Sequence, residues 1–330
     1  MTRIRRATLV VGLVALLAAC TSAPPKPDPA PTTPVPVVTE AQVAAIMTSL
    51  TDTLAAADAN LDGEAVATRL EGPALDIRRA DYAVAAAGHE LPVLTIERDE
   101  AWTMVAQTTT WPRVVLVSTK QPANLVGTQR ILVLRQDSPR DQYRLWGSAG
   151  LGSGMSIPKT TVPEVGSPML PPNAKNLAMT PSDVLPRYAD VLKLGDSSEY
   201  VGSFDGEHDG MRQGIEATRA KINAKKGDAG AYAEVFEAPE EPAVVLATAD
   251  GGALVVGRLA TTVEVKGIDV GAAAADDPMI IRVSSLAGGM TSSMTWTYTD
   301  VVVFWVPPAA EPGPVVVVAY AHTVTSAAPL

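Results

Sequence analysis

The sequence predicts an α+β protein of two tandem domains, in each of which N-terminal helices cover a curved antiparallel β-sheet. Three observations predict it. Helix signals open two separate segments, each segment then turns into strand-rich sequence, and a proline-rich stretch divides them. The predicted divisions are an export signal over 1–19, a proline-rich tether over 20–38, a first domain over 39–165, a linker over 166–175 and a second domain over 176–330.

Taken in order, the chain opens with Arg3, Arg5 and Arg6 and no acid, followed by Ala7 to Ala19, which is apolar or small apart from Thr8. That is the charged region and apolar region of an export signal. The run ends at Cys20, short of the ~20 apolar residues a helix needs to cross a bilayer. The segment Leu17-Ala18-Ala19-Cys20 resembles the lipobox of bacterial lipoproteins. The resemblance implies cleavage before Cys20, a diacylglyceryl thioether on its sulfur, and attachment by lipid to the outer face of the cytoplasmic membrane. An ordinary signal peptide is the alternative. Against it, Cys20 is the sole cysteine, so an exported chain has no internal disulfide to form with it. Pro24, Pro25, Pro27, Pro29, Pro31, Pro34 and Pro36 then favour an extended tether.

The formal charge is −10, and loss of the three leading arginines makes the remainder more acidic still. A nucleic-acid partner is excluded on that ground, because phosphate binding needs a basic surface. A hydrophobic fraction of 47% supplies a full core.

In the first domain Thr39 and Gln42 form a capping box, and Val43, Ile46, Met47, Leu50 and Leu54 recur at helical spacing, which predicts a helix from Glu40 to about Ala57. Gly63 to Leu70 and Pro73 to Ala87 read as further helices, parted by Gly72-Pro73. Strands are predicted at Leu91 to Arg98, Trp102 to Thr110, Val114 to Lys120, Thr128 to Asp137 and Tyr143 to Ala149. Ser153 to Lys175 carries five prolines and no periodicity. The second domain opens with Thr180 as N-cap and Pro181 at the first helical position; Val184, Leu185, Tyr188, Val191 and Leu192 form the stripe, and Gly195 is the stop. A helix over Gly210 to Lys225 follows. Strands come next at Tyr232 to Glu237, Ala243 to Thr248, Ala253 to Val265, Ile280 to Leu286, Met294 to Val306 and Val315 to Thr325.

This order of elements resembles the cystatin-like and nuclear-transport-factor-2-like (NTF2-like) superfamilies, here in tandem. The chain also resembles lipoproteins of high-GC Gram-positive bacteria that carry domains of unknown function. Neither resemblance carries a catalytic residue with it.

Motifs for chemistry are sparse. Asp58, Asn60 and Asp62 have the spacing of half a calcium loop, but its twelfth position is Arg69; Asp205, Glu207 and Asp209 run to Glu216 at the twelfth, yet Glu207 and Arg212 break the pattern. Acids before a helix more often cap it. Ser156-Ile-Pro-Lys159 matches an acylating Ser-x-x-Lys motif but has no helical pattern behind it. His89, His208 and His322 are isolated in sequence, too few and too scattered for a zinc site. Trp102, Trp111, Trp146, Trp296 and Trp305 fall in or beside strands, where aromatics usually fill a core. Tyr82, Tyr188 and Tyr200 are candidates to point into a cone between helices and sheet.

The reading for function is a non-catalytic binding or interaction module of the cell envelope, with no cofactor and no metal, whose partners are the membrane through Cys20 and an envelope protein or cell-wall component. The alternative is a small-molecule binder or enzyme that uses a cone-shaped pocket. A deep pocket with converging buried polar side chains separates the two.

Overall fold

The computed structural model describes residues 34–330 except 93, 95, 122–128, 227, 229, 240–241 and 269–277. Cys20, the export signal and the prolines as far as Pro31 lie outside the described residues. Among the described residues no helix is long and apolar enough to cross a membrane.

Three helices open the fold: α1 (Glu40–Asn60), α2 (Gly63–Ala67) and α3 (Gly72–Ala86). The capping box at α1 forms as predicted, with the Gln42 amide donating to Thr39 Oγ1 and the Thr39 amide donating to Gln42 Oε1. Val43, Met47, Leu50 and Leu54 are the buried stripe. Four strands follow, β1 (Arg98–Gln107), β2 (Arg113–Thr119), β3 (Arg130–Gln136) and β4 (Arg144–Leu151). Then come β5 (Ser167–Pro168), α4 (Pro181–Leu194), α5 (Gly210–Lys225), β6 (Ala231–Glu237), β7 (Val244–Ala247), β8 (Ala253–Lys266), α6 (Pro278–Leu286), β9 (Met294–Val306) and β10 (Val316–Pro329).

Two predicted elements differ. Strand β1 starts only at Arg98 and takes in the strand expected at Trp102 to Thr110; of the strand expected at Leu91 to Arg98, Leu91, Leu94 and Ile96 instead pack against the first helical core. The strand expected at Ile280 to Leu286 is helix α6. Its β-branched composition suggested a strand, but the buried residues Ile280, Val283 and Ser284 recur at helical spacing while Ile281 is exposed.

The protein is α+β, with a mixed 10-stranded sheet in the order β5-β1-β2-β3-β4-β10-β9-β8-β6, and β7 also paired to β8. All pairings are antiparallel except that of β1 with β5. Strand β4 joins β10 at Gly150 and Leu151, so the strands of both halves share one sheet. The sheet also closes on itself. Met169, just beyond β5, bridges Leu246 of β7, and the Leu170 amide donates to the Val245 carbonyl.

Closure gives the sheet an inside and an outside. Met104, Leu116, Ile131, Val133, Leu254, Val301, Val303 and Val318 from both halves fill the inside. Outside, α1 to α3 cover one set of strands, α4 and α5 cover another, and α6 covers the far ends of β8 and β9. Helix α4 sits closest where β8 has Gly257: a Cβ there would lie 2.0 Å from Leu185 Cδ1. Helix α3 bridges the halves, with Val84 in the core under α6 and Asp76 paired with Arg258 of β8.

A candidate ligand groove between α5 and the sheet

Between the core under α4 and the core under α6 the outer sheet face is not filled. A cavity of about 490 Å³ lies there, floored by β6, β8, β9 and β10, walled by α5 and closed at one end by α6. Part of the wall is made of small residues. Gly210, Gly214 and Ala217 line the groove from α5, and a Cβ added at Gly214 would meet nothing within 4 Å. Longer α5 residues, Met211, Ile215, Lys221 and Ile222, line the groove beside them, and the opening lies where the glycines fall.

The floor is aromatic and polar. Because side chains alternate across a strand, Trp296, Tyr298 and Asp300 of β9 share the outer face. Across the ladder Thr261 of β8 lies opposite Tyr298, and His322 of β10 lies opposite Asp300. Asp300 is fully buried, with 0% exposure. A buried carboxylate needs donors for both oxygens. It has them: Thr261 Oγ1 donates to Oδ2 at 2.5 Å, and His322 Nδ1 pairs with Oδ1 at 2.7 Å. The imidazole then lies flat on Tyr298, with ring centroids 4.2 Å apart and planes 2° from parallel. A carboxylate only accepts, so it fixes the proton on Nδ1 and directs Nε2 outward.

A second polar pair lies in the groove. The Tyr232 hydroxyl donates to Glu234, which Arg219 of α5 also binds. Burial pushes the Tyr232 phenol far above its ordinary value, and the Glu234 charge adds to the push. Tyr320 lies against Gly210, and its phenol is raised by burial and then by the charge of Asp209. Asp209, 1% exposed, caps α5 by accepting from the Arg212 amide and also accepts from the Tyr188 hydroxyl. Burial raises its carboxyl against the pull of those hydrogen bonds.

A family model described as a domain of unknown function, DUF8094, matches residues 34–329. The chain belongs to the DUF8094 family. Comparison with curated proteins and with solved structures found no match.

In this DUF8094 chain the residues predicted from sequence scatter. Cys20 lies outside the described residues. Asp62 caps α2, while Asp58 accepts from Arg78 and Tyr82. In the second acidic loop Asp205 binds His208, Asp209 caps α5 and Glu216 binds Arg212, so these carboxylates face different partners. Among the described residues no group of three or more histidine, cysteine or acidic side chains is placed to hold a metal. Ser156 and Lys159 are exposed in an irregular segment. His89 lies 3.5 Å from Ser285, and only His322 reaches the groove. Tyr188 does not line a cone; it fills the space between Phe204 and Phe304. Tyr200 lies beneath Arg187 on the surface. Trp296 is both core and floor, its indole N–H donating to Ser284.

Sequence reasoning missed Asp300, Thr261, Tyr320 and the Tyr232–Glu234 pair. A signal was present. Trp296, Tyr298 and Asp300 stand two apart in their strand, alternating with Thr295, Thr297 and Thr299, and Tyr320 and His322 stand two apart in theirs.

Proposed function

We propose that this DUF8094 protein is a lipid-anchored, extracytoplasmic binding protein of the cell envelope, and that its groove takes a small, largely apolar molecule. The observation that carries the reading is the groove itself: a largely apolar wall, open at its glycines, over an aromatic floor in which a fully buried carboxylate holds one histidine in place. That combination of apolar lining and a few oriented polar atoms is what ligand sites share. It favours small-molecule binding over a surface that only docks an envelope partner. The lipid anchor rests on the lipobox and the sole cysteine, and we read the two halves as an NTF2-like or cystatin-like duplication because each sets helices before a run of antiparallel strands.

Two experiments test this. Replacing Cys20 with Ser in the native host is expected to release the protein from membranes; unchanged membrane partition and size refutes the anchor. For the groove, a titration with 2-methoxynaphthalene is expected to show saturable one-to-one binding, lost in Gly214→Leu. That substitution fills empty space and removes a helical glycine, so stability is expected to hold or rise by up to about 1 kcal/mol. Equal binding by a stably folded Gly214→Leu variant refutes the site.

A further inference from the structure

The groove reading leaves open which molecules enter, and the arrangement of its polar atoms narrows the class. Thr261 spends its hydroxyl proton on Asp300, and Tyr232 spends its own on Glu234. Two atoms on the same face of β10 remain without a protein partner among the described residues. They are the Nε2 atom of His322 and the hydroxyl of Tyr320. With the proton fixed on Nδ1, Nε2 of the neutral ring is an acceptor, whereas a phenol both donates and accepts.

A ligand hydroxyl matches both at once: it donates to His322 and accepts from Tyr320. A carboxylate does not. It has no proton for His322, and the carboxylate of Asp300 beside His322 and that of Asp209 beside Tyr320 lie at this end of the groove. Lys221 and Arg219 of α5 are the nearby cations, and Arg219 is committed to Glu234. The remaining lining is mostly apolar, with aromatic rings on the sheet side. The imidazole is parallel to Tyr298, Trp296 belongs to the same floor, and beside Gly214 the opposite wall is open, which leaves room for a ring to lie along these aromatic residues.

Resting on the groove reading, we propose that the site selects neutral, planar apolar molecules bearing a hydroxyl group, and that His322, oriented by Asp300, is the specificity-determining acceptor for that hydroxyl.

The test compares three probes of one ring system on the purified wild-type protein at pH 8: 2-naphthol, 2-methoxynaphthalene and 2-naphthoate. One well-formed hydrogen bond corresponds to roughly tenfold in affinity. The naphthol is therefore expected to bind roughly tenfold tighter than its methyl ether, with the naphthoate weakest. In His322→Phe, which keeps a ring to stack on Tyr298, the ratio of naphthol to ether is expected to fall to about one. Equal affinity of naphthol and ether for the wild type overturns the selectivity while leaving the groove reading intact, and so does tightest binding of the naphthoate. No binding by any of the three overturns the groove reading and the inference with it. Because the decisive comparison is made on the wild-type chain, it stands even where His322→Phe fails to fold.

Discussion

Arg78 offers the most direct test of how the first half is held together. It is 2% exposed and binds two helices and a loop: Nε and Nη2 donate to Asp58 of α1 at 3.0 and 2.5 Å, and Nη1 donates to Asp81 of α3 at 3.2 Å and to the Pro92 carbonyl at 2.7 Å. Burial pushes the Asp81 carboxyl up to about 6 against the pull of the guanidinium. Arg78→Met keeps the stem and removes the charge. Breaking a buried ion pair from one side costs ~3–5 kcal/mol, and since Asp58 is partly exposed the lower end applies, about 3 kcal/mol at pH 7.5. The pH dependence follows from Asp81. Without the guanidinium its carboxyl rises further, so between about pH 6 and that new value the variant binds a proton that the wild type lacks, and the penalty grows with pH. Below pH 6 both forms carry the proton, and only the lost contacts to Asp58 and Pro92 remain. Urea unfolding at pH 7.5 and pH 5 is expected to give about 3 and under about 2 kcal/mol respectively. A loss below about 1 kcal/mol at pH 7.5, or the same loss at both values, refutes the reasoning.

Three further outcomes are expected. Asp81→Asn removes a group whose folded value is raised from 3.8 to about 6. The wild type therefore loses stability from this carboxyl as pH rises from about 4 to 6, and thermal unfolding of the variant across that window is expected to lack the downward slope, worth at most about 3 kcal/mol. Gly257→Ala places a methyl 2.0 Å from Leu185 Cδ1 and 2.9 Å from its Cγ, so α4 must shift; the loss is about 1–3 kcal/mol, and Leu185→Ala in the same chain is expected to recover part of it in a double-mutant cycle. Tyr188→Phe takes a donor from buried Asp209 and is expected to cost about 1–3 kcal/mol in urea unfolding. A loss below about 0.5 kcal/mol there means that Asp209 finds another donor.

Local signals were legible because they depend on neighbours a few residues apart. The Thr39–Gln42 box, the stripe Val184, Leu185, Tyr188, Val191 and Leu192, the Gly195 stop and most strands follow from spacing alone. Helix α6 was misread because a short apolar run carries little periodicity, and its direction of burial is set by the sheet it lies on. Closure of the sheet was hidden for a different reason. It depends on Met169 meeting Leu246, a contact between segments that share no local pattern.

The groove shows the division most sharply. The sequence by itself determined that Trp296, Tyr298 and Asp300 lie on one face of their strand, and that Tyr320 and His322 lie on one face of theirs. It did not determine that the two faces coincide. The β9–β10 register shifts between Val317 and Ala319, so Val318 and Ala319 both turn to the inside, and the side chains of β10 from there to Val324, where a second shift begins, change face. That single extra residue brings His322 to Asp300 rather than to the opposite side of the sheet. Only tertiary structure decides it, because a bulge costs and gains its free energy across two strands joined by hydrogen bonds, not along either one.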